Sequence, residues 1–108
     1  MIIKHNEIER KLIQNMRGGE GSLYMQRFDD ESKMIAKITI PPQSSIGLHQ
    51  HINDEEIIYV IEGQGICISD GKEFEISKGL VNYTRRGESH SIKNTSDHEL
   101  VLLAIIFK

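Results

Sequence analysis

The chain is short of several things at once. Of its 108 residues one is cysteine, two are proline and none is tryptophan. A single thiol, Cys67, cannot close an intrachain disulfide or supply a CxxC or four-cysteine metal site, so a reducing cytoplasm is the expected compartment. Basic residues are in no surplus: 13 Lys and Arg stand against 16 Asp and Glu, a formal net charge of −3. Nucleic acid is therefore not an expected partner, because holding a phosphate backbone takes clustered cations. Long apolar runs are missing too. The longest, Leu100 to Phe107, falls well short of the roughly 20 residues that cross a bilayer as a helix. No charged-then-apolar leader with a small-residue cleavage site opens the chain, so neither a membrane nor an export role is expected. The length fits one domain, of a size that folds alone with little margin.

What the chain has instead is β-type sequence cut by turns. Residues 1–40 read as an arm and N-terminal strands. In the arm, Ile8, Leu12 and Ile13 fit a weak helical stripe, while Ile8, Arg10 and Leu12 fit one face of a strand equally well. Gly18, Gly19 and Gly21 form a turn. Leu23 to Phe28 and the alternating Met34 to Ile40 follow as strands, the second stopped by Pro41-Pro42. After these come runs over 56–62, 66–69, 72–76, 80–84, 90–93 and 99–107, separated by glycine-rich or Asn/Asp/Ser-rich turns. Asp70-Gly71 is a two-residue hairpin signal. Short strands at this spacing, with no convincing helix after residue 20, predict an all-β sandwich or barrel in one domain, 1–108.

It also has five histidines, and three fall at informative places. His49 and His51 are two apart, so on a strand both imidazoles share a face. The carboxylate pair Glu55-Glu56 opens the next strand, and either member can turn toward them. His90 follows the turn Arg85-Arg86-Gly87-Glu88-Ser89. Three imidazoles and a carboxylate make a donor set suited to Mn, Fe, Co, Ni, Cu or Zn rather than to Ca or Mg. Spacing alone does not bring His90 beside His49.

These residues resemble the two conserved motifs of the cupin superfamily. From 47 to 63 the chain reads His49-Gln50-His51, four residues, Glu56, six residues, Gly63. From 79 to 94 it reads Gly79, five residues, Arg85-Arg86-Gly87, two residues, His90, three residues, Asn94. Two positions depart from the pattern: Gln43 stands where the first motif has glycine, and Arg85 where the second has proline. Neither is a ligand position. The resemblance implies a small antiparallel double-stranded β-helix, a jelly-roll barrel, with one divalent transition metal ion inside one end. It implies His49, His51, Glu56 and His90 as the ligands, with Glu55 turned to solvent and about two positions left on the ion. Strand parity then puts Ile58 and Val60 on the face of Glu56, and Ile92 and Asn94 on that of His90, so these are expected to line the pocket.

The same resemblance implies a metal-dependent enzyme acting on a small oxygen-rich or acidic molecule, of dioxygenase, isomerase, decarboxylase or lyase type, without naming the reaction. The alternative is a non-catalytic metal- or small-ligand-binding module, a sensor or store. A homodimer is expected, with residues 22 to 40 adding strands across the interface. His5 and His98 lie outside the motifs and are expected at the surface. Tyr59 and Tyr83 are expected to pack with a polar tip, and Arg85 is a candidate for drawing an acidic substrate to the barrel mouth. Cys67 shares a side with Ser69, opposite Ile66 and Ile68, and which side faces inward is left open.

Overall fold

The computed structural model describes residues 1–108 as ten strands in two antiparallel sheets that face each other. The larger sheet has the order β1 (Lys11–Gln14), β2 (Ser22–Asp29), β3 (Lys33–Ile40), β10 (Leu100–Phe107), β5 (Glu55–Glu62), β8 (Val81–Thr84). The smaller has the order β4 (Ser45–Gln50), β9 (Ser89–Lys93), β6 (Gln64–Ser69), β7 (Lys72–Ser77). Two 3-10 turns, His5–Glu7 and Met16–Gly18, are the only helical segments, and no helix is long and apolar enough to cross a membrane.

Alternation builds the core. Met34, Ala36, Ile38 and Ile40 of β3 point inward, as do Leu100, Leu102 and Ala104 of β10 and Ile58 and Val60 of β5, each nearly inaccessible to water. Ile46, Cys67, Ile76 and Ile92 meet them from the smaller sheet. Cys67 therefore faces inward, 1% exposed, and burial pushes its thiol up to about 11. Ile66 and Ile68 lie half-buried on the opposite face.

The hairpin between β6 and β7 turns on Asp70 and Gly71, both at positive φ (47° and 86°), the pair of angles a two-residue turn of this hand requires. Asn94 is completely buried and ties the start of the next turn together. Its amide donates to the carbonyls of Ile40 and His98, and its Oδ1 accepts from Ser96. The 94–98 turn is thus organised by one buried side chain.

Several expectations are corrected here. Within residues 22 to 40, β3 is paired on both edges, by β2 and β10, while the outer edge of β2 is covered by β1 only over Ser22 to Met25. The arm forms neither a helical stripe nor a long strand but a 3-10 turn followed by a four-residue strand on the edge of β2. Tyr59 and Tyr83 are not packed inside; both are 43% exposed, on the outer face of the larger sheet.

Candidate metal centre

Three elements converge at one end of the barrel. β4 and β9 are neighbours in the smaller sheet, and their register pairs His49 directly with His90. The pairing is irregular between Ile46 and His49, a local bulge of the kind that re-aims side chains. His51 lies just past the end of β4, pinned by its amide donating to the Glu88 carbonyl and its own carbonyl accepting from Gly87. Glu56 reaches in from β5 on the facing sheet, 6% exposed.

The donor atoms are close. His51 Nε2 and His49 Nε2 each lie 3.1 Å from His90 Nε2. Glu56 Oε1 lies 3.1 Å from His51 Nε2 and 2.9 Å from His90 Nε2. One donor atom from each of the four residues falls within 4.8 Å of the others.

The far nitrogen of each ring decides what this cluster can do. His49 Nδ1 donates to the Gly47 carbonyl at 2.8 Å, and His51 Nδ1 to the Asp54 carboxylate at 2.7 Å. His90 Nδ1 donates to Asn82 Oδ1 at 2.8 Å, with Thr84 Oγ1 also at 2.9 Å. A carbonyl, a carboxylate and an amide oxygen can only accept, so each neutral ring carries its proton on Nδ1 and turns the Nε2 lone pair inward. Three lone pairs and a carboxylate then face one point, an arrangement that a cation satisfies. The donor set fits a divalent transition metal ion.

Without an ion, a second proton on the His51 ring competes for that place, donated from Nε2 to the Glu56 carboxylate. Burial alone would push the Glu56 carboxyl up, but its hydrogen bonds with His51 and His90 outweigh it and hold the pKa at about 2. The hydrogen bond with Glu56 raises His51 above its ordinary value, against the opposing effect of burial. Burial lowers His49 against the raising effect of its hydrogen bond to Gly47, and the neighbouring His90, Arg17 and His51 add to the lowering.

The cavity in front of these donors is about 30 Å³, room for roughly two water-sized groups. Met16, Met25, Met34, Ile38, Ile46, Ile58, Ile92 and Ile106 supply most of the wall, and Arg17 is its only lysine or arginine. Ile58 and Ile92 line it as strand parity predicted. Val60 and Asn94 do not: both are buried, but Val60 lies further along β5 and Asn94 just past the end of β9, away from the cluster. Arg85 is not at the mouth either. It is exposed on the outside, its guanidinium 5.2 Å from the centre of the Tyr83 ring, and the Tyr83 hydroxyl donates to Glu55 there. His98 is exposed, and His5 is half-buried with its Nε2 shielded and unpartnered; neither reaches the cluster.

Sequence reasoning missed Asp54, Asn82, Thr84 and Arg17. Asp54 and Asn82 are ordinary turn and strand residues whose role arises only from tertiary neighbours, and Arg17 sits in the arm far from either motif.

The comparisons with known proteins agree with this architecture. Residues 36–106 match the cupin domain family. The chain is a cupin. Over 98% of its length this cupin is 38% identical to an oxalate-binding protein of Thermotoga maritima, covering 93% of that protein. A crystal structure of a predicted oxalate decarboxylase from Thermotoga maritima superposes with a TM-score of 0.93 at 38% identity, over 99% of this cupin and 98% of that chain. An RmlC-like cupin from Shewanella frigidimarina shares the fold, with a TM-score of 0.82 at 17% identity, over 98% of this chain and 88% of the other.

Proposed function

We propose that this cupin holds one divalent transition metal ion on His49, His51, Glu56 and His90 and binds a small dicarboxylate there, oxalate being the type. The observation that carries the reading is the convergence of three Nε2 lone pairs and the Glu56 carboxylate on one point. Adjacent donors stand 2.9–3.1 Å apart. That is the spacing of neighbouring vertices of an octahedron with bonds of about 2.1–2.2 Å, and is tighter than the roughly 3.3 Å between donors of tetrahedral zinc. The imidazole and carboxylate donor set suits Mn, Fe, Co, Ni, Cu or Zn. When bound, such an ion supplies Lewis acidity and open positions that a chelating anion can occupy. The chain's own residues set the rest: the small cavity admits only the chelating oxygens of a small anion, leaving its outer end toward the mouth, and the wall is mostly apolar.

Binding without turnover is the better supported of the two functional readings. Apart from the four donors, the cavity wall offers no carboxylate, imidazole or thiol to move a proton, only Ser91 and Arg17 among polar side chains. The similarity to an oxalate-binding protein supports the ligand class. The second reading, a metal-dependent enzyme of decarboxylase or oxygenase type, rests on the metal itself. Titrating the metal-loaded protein with oxalate in a calorimeter, while assaying formate, CO2 and O2 uptake, tests both. Saturable binding with no product is the expected result; no binding overturns the proposal, and product formation selects the enzyme reading.

The proposal extends to a homodimer through the outer face of the larger sheet. Phe28, Ile35, Ile105, Ile57 and Tyr83 form one unbroken cross-strand row over five strands, with Leu103, Tyr59 and Val81 in the next. At about 4.8 Å per strand and about 7 Å between rows, the two rows cover roughly 170 Å² in projection, the apolar centre of an interface that takes roughly 800 Å² per partner when stable. A second copy presenting the same face would cover it. Sedimentation equilibrium is expected to show a dimer, and Leu103→Glu a monomer; a wild-type monomer at micromolar concentration overturns it. A cytoplasmic location, supported by the single free thiol of Cys67, completes the proposal.

A further inference from the structure

Arg17 is the one charged side chain on the cavity wall that does not belong to the donor cluster. It stands on the second 3-10 turn, Met16–Gly18, with φ 55° and ψ 31°. Left-handed backbone is uncommon for a long side chain, while glycine or asparagine adopts it readily. Residues held there cluster at functional sites, where surrounding structure enforces them.

The enforcement is visible. Gly19 and Gly47 face each other so closely that a methyl group on the first would overlap the Ser45 carbonyl oxygen, and one on the second that of Arg17. The Ser45 amide donates to the Glu20 carbonyl at 2.9 Å, and the Glu20 amide to Ser45 Oγ at 2.9 Å. The turn is thereby clamped to β4, the strand that carries His49, and Met16 and Arg17 are laid over the cavity. Three of the other four arginines are engaged elsewhere, Arg27 with Asp29, Arg10 with Glu99 and the Tyr24 ring, Arg85 with the Tyr83 ring, and Arg86 is not on the cavity wall. Arg17 is paired with no carboxylate of the chain.

Charge arithmetic gives it a purpose. A divalent ion with the Glu56 carboxylate leaves one positive charge in the cluster, and a dianionic ligand would turn that into one negative charge in an apolar cavity. An uncompensated charge there is costly, and a guanidinium at the rim cancels it. We infer that Arg17, clamped over the metal cavity by the Gly19–Gly47 contact, is the anchor for the outer carboxylate of a small dianionic ligand and sets the preference for dianions over neutral molecules of the same shape. Its planar fork matches a carboxylate edge. The inference rests on the metal reading above and adds a residue and a charge requirement to it.

The test uses Co(II)-loaded protein. Metal content per chain is measured first for wild type, Arg17→Gln and Arg17→Lys, followed by affinities for oxalate and for its neutral isostere oxamide. All three proteins are expected to hold one ion and to melt at closely similar temperatures, since Arg17 is an exposed side chain. Arg17→Gln should weaken oxalate roughly ten- to hundredfold, the loss expected for a charge-assisted hydrogen-bonded pair. Arg17→Lys should recover part of the affinity, and oxamide binding should change by less than about twofold, because no charge is compensated there. Full metal content with unchanged oxalate affinity in Arg17→Gln overturns the anchor. Equal losses for oxalate and oxamide, or loss of the metal itself, also overturn it and make Arg17 a structural part of the turn. A wild-type protein that takes up no ion overturns the metal reading instead, and the two failures are told apart by the first measurement.

Discussion

Gly47, Asp54 and Asn82 determine which nitrogen each histidine offers. Each presents an acceptor to an Nδ1 atom, so the three rings arrive with their Nε2 lone pairs already aimed. Removing such a partner frees the ring to flip or change tautomer. Asp54→Ala is expected to weaken metal binding by about 10–100-fold while leaving the fold intact, the usual effect of losing a group that orients a ligand; competition with a chromogenic chelator measures it. In the sequence, spacing alone put only His49 and His51 on one face; Glu56 rather than Glu55, and His90 as the fourth member, came from the resemblance to the two cupin motifs. Their orienting partners were not legible. Asn82 is eight residues from His90 and looks like any polar strand residue until β8 is placed beside β5. Arg17 carries no motif, and Arg85, which has one beside it, turned out to point at Tyr83 on the outside.

At the scale of elements, alternation and turn chemistry predicted most of the strands, with ends displaced by one or two residues. The Asp70-Gly71 hairpin and the stop at Pro41-Pro42 were readable because both residue types restrict the backbone directly. Register was not. The pairing of His49 with His90, and the bulge beside it, depend on how β4 and β9 meet across 41 residues of chain, which no local pattern encodes. Nor was the clamp between the Met16–Gly18 turn and β4, where two glycines meet because neither has a side chain. Gly47→Ala is expected to cost about 1–3 kcal/mol in chemical denaturation, the range for forcing a methyl group into closed packing. The turn would have to lift from the strand to admit it. A change below about 0.5 kcal/mol would mean that the turn is not held by this contact.

For the molecule as a whole, the Glu56–His51 pair links stability to pH in a definite window. Glu56 drops from its ordinary 4.5 to about 2 in the fold, so its contribution is present above pH 4.5 and is lost as pH falls toward 2. His51 is raised above its ordinary 6.5, so its contribution is complete below pH 6.5 and is lost as pH rises through the raised value. In metal-free protein the advantage of wild type over Glu56→Gln should therefore be greatest between pH 4.5 and 6.5 and shrink on both sides, read as the difference in Tm. Metal binding requires neutral imidazoles, so the Tm gained on adding metal should instead grow as pH rises past 6.5. Strand spacing left a sandwich or a barrel, and the resemblance to the cupin motifs chose the barrel; the unequal division into sheets of six and four strands, and the apolar outer face of the larger one, emerged only with the strand order.

The central claim is that His49, His51, Glu56 and His90 together hold one divalent transition metal ion. The most direct test is elemental analysis of protein loaded with Mn(II) or Co(II) and then freed of unbound metal, for wild type and for His90→Ala. The account predicts one ion per chain in wild type and less than about a tenth of that in the variant, a loss of the size that follows removal of a central donor. A wild-type chain that retains no ion, or a His90→Ala chain that retains a full one, would contradict it.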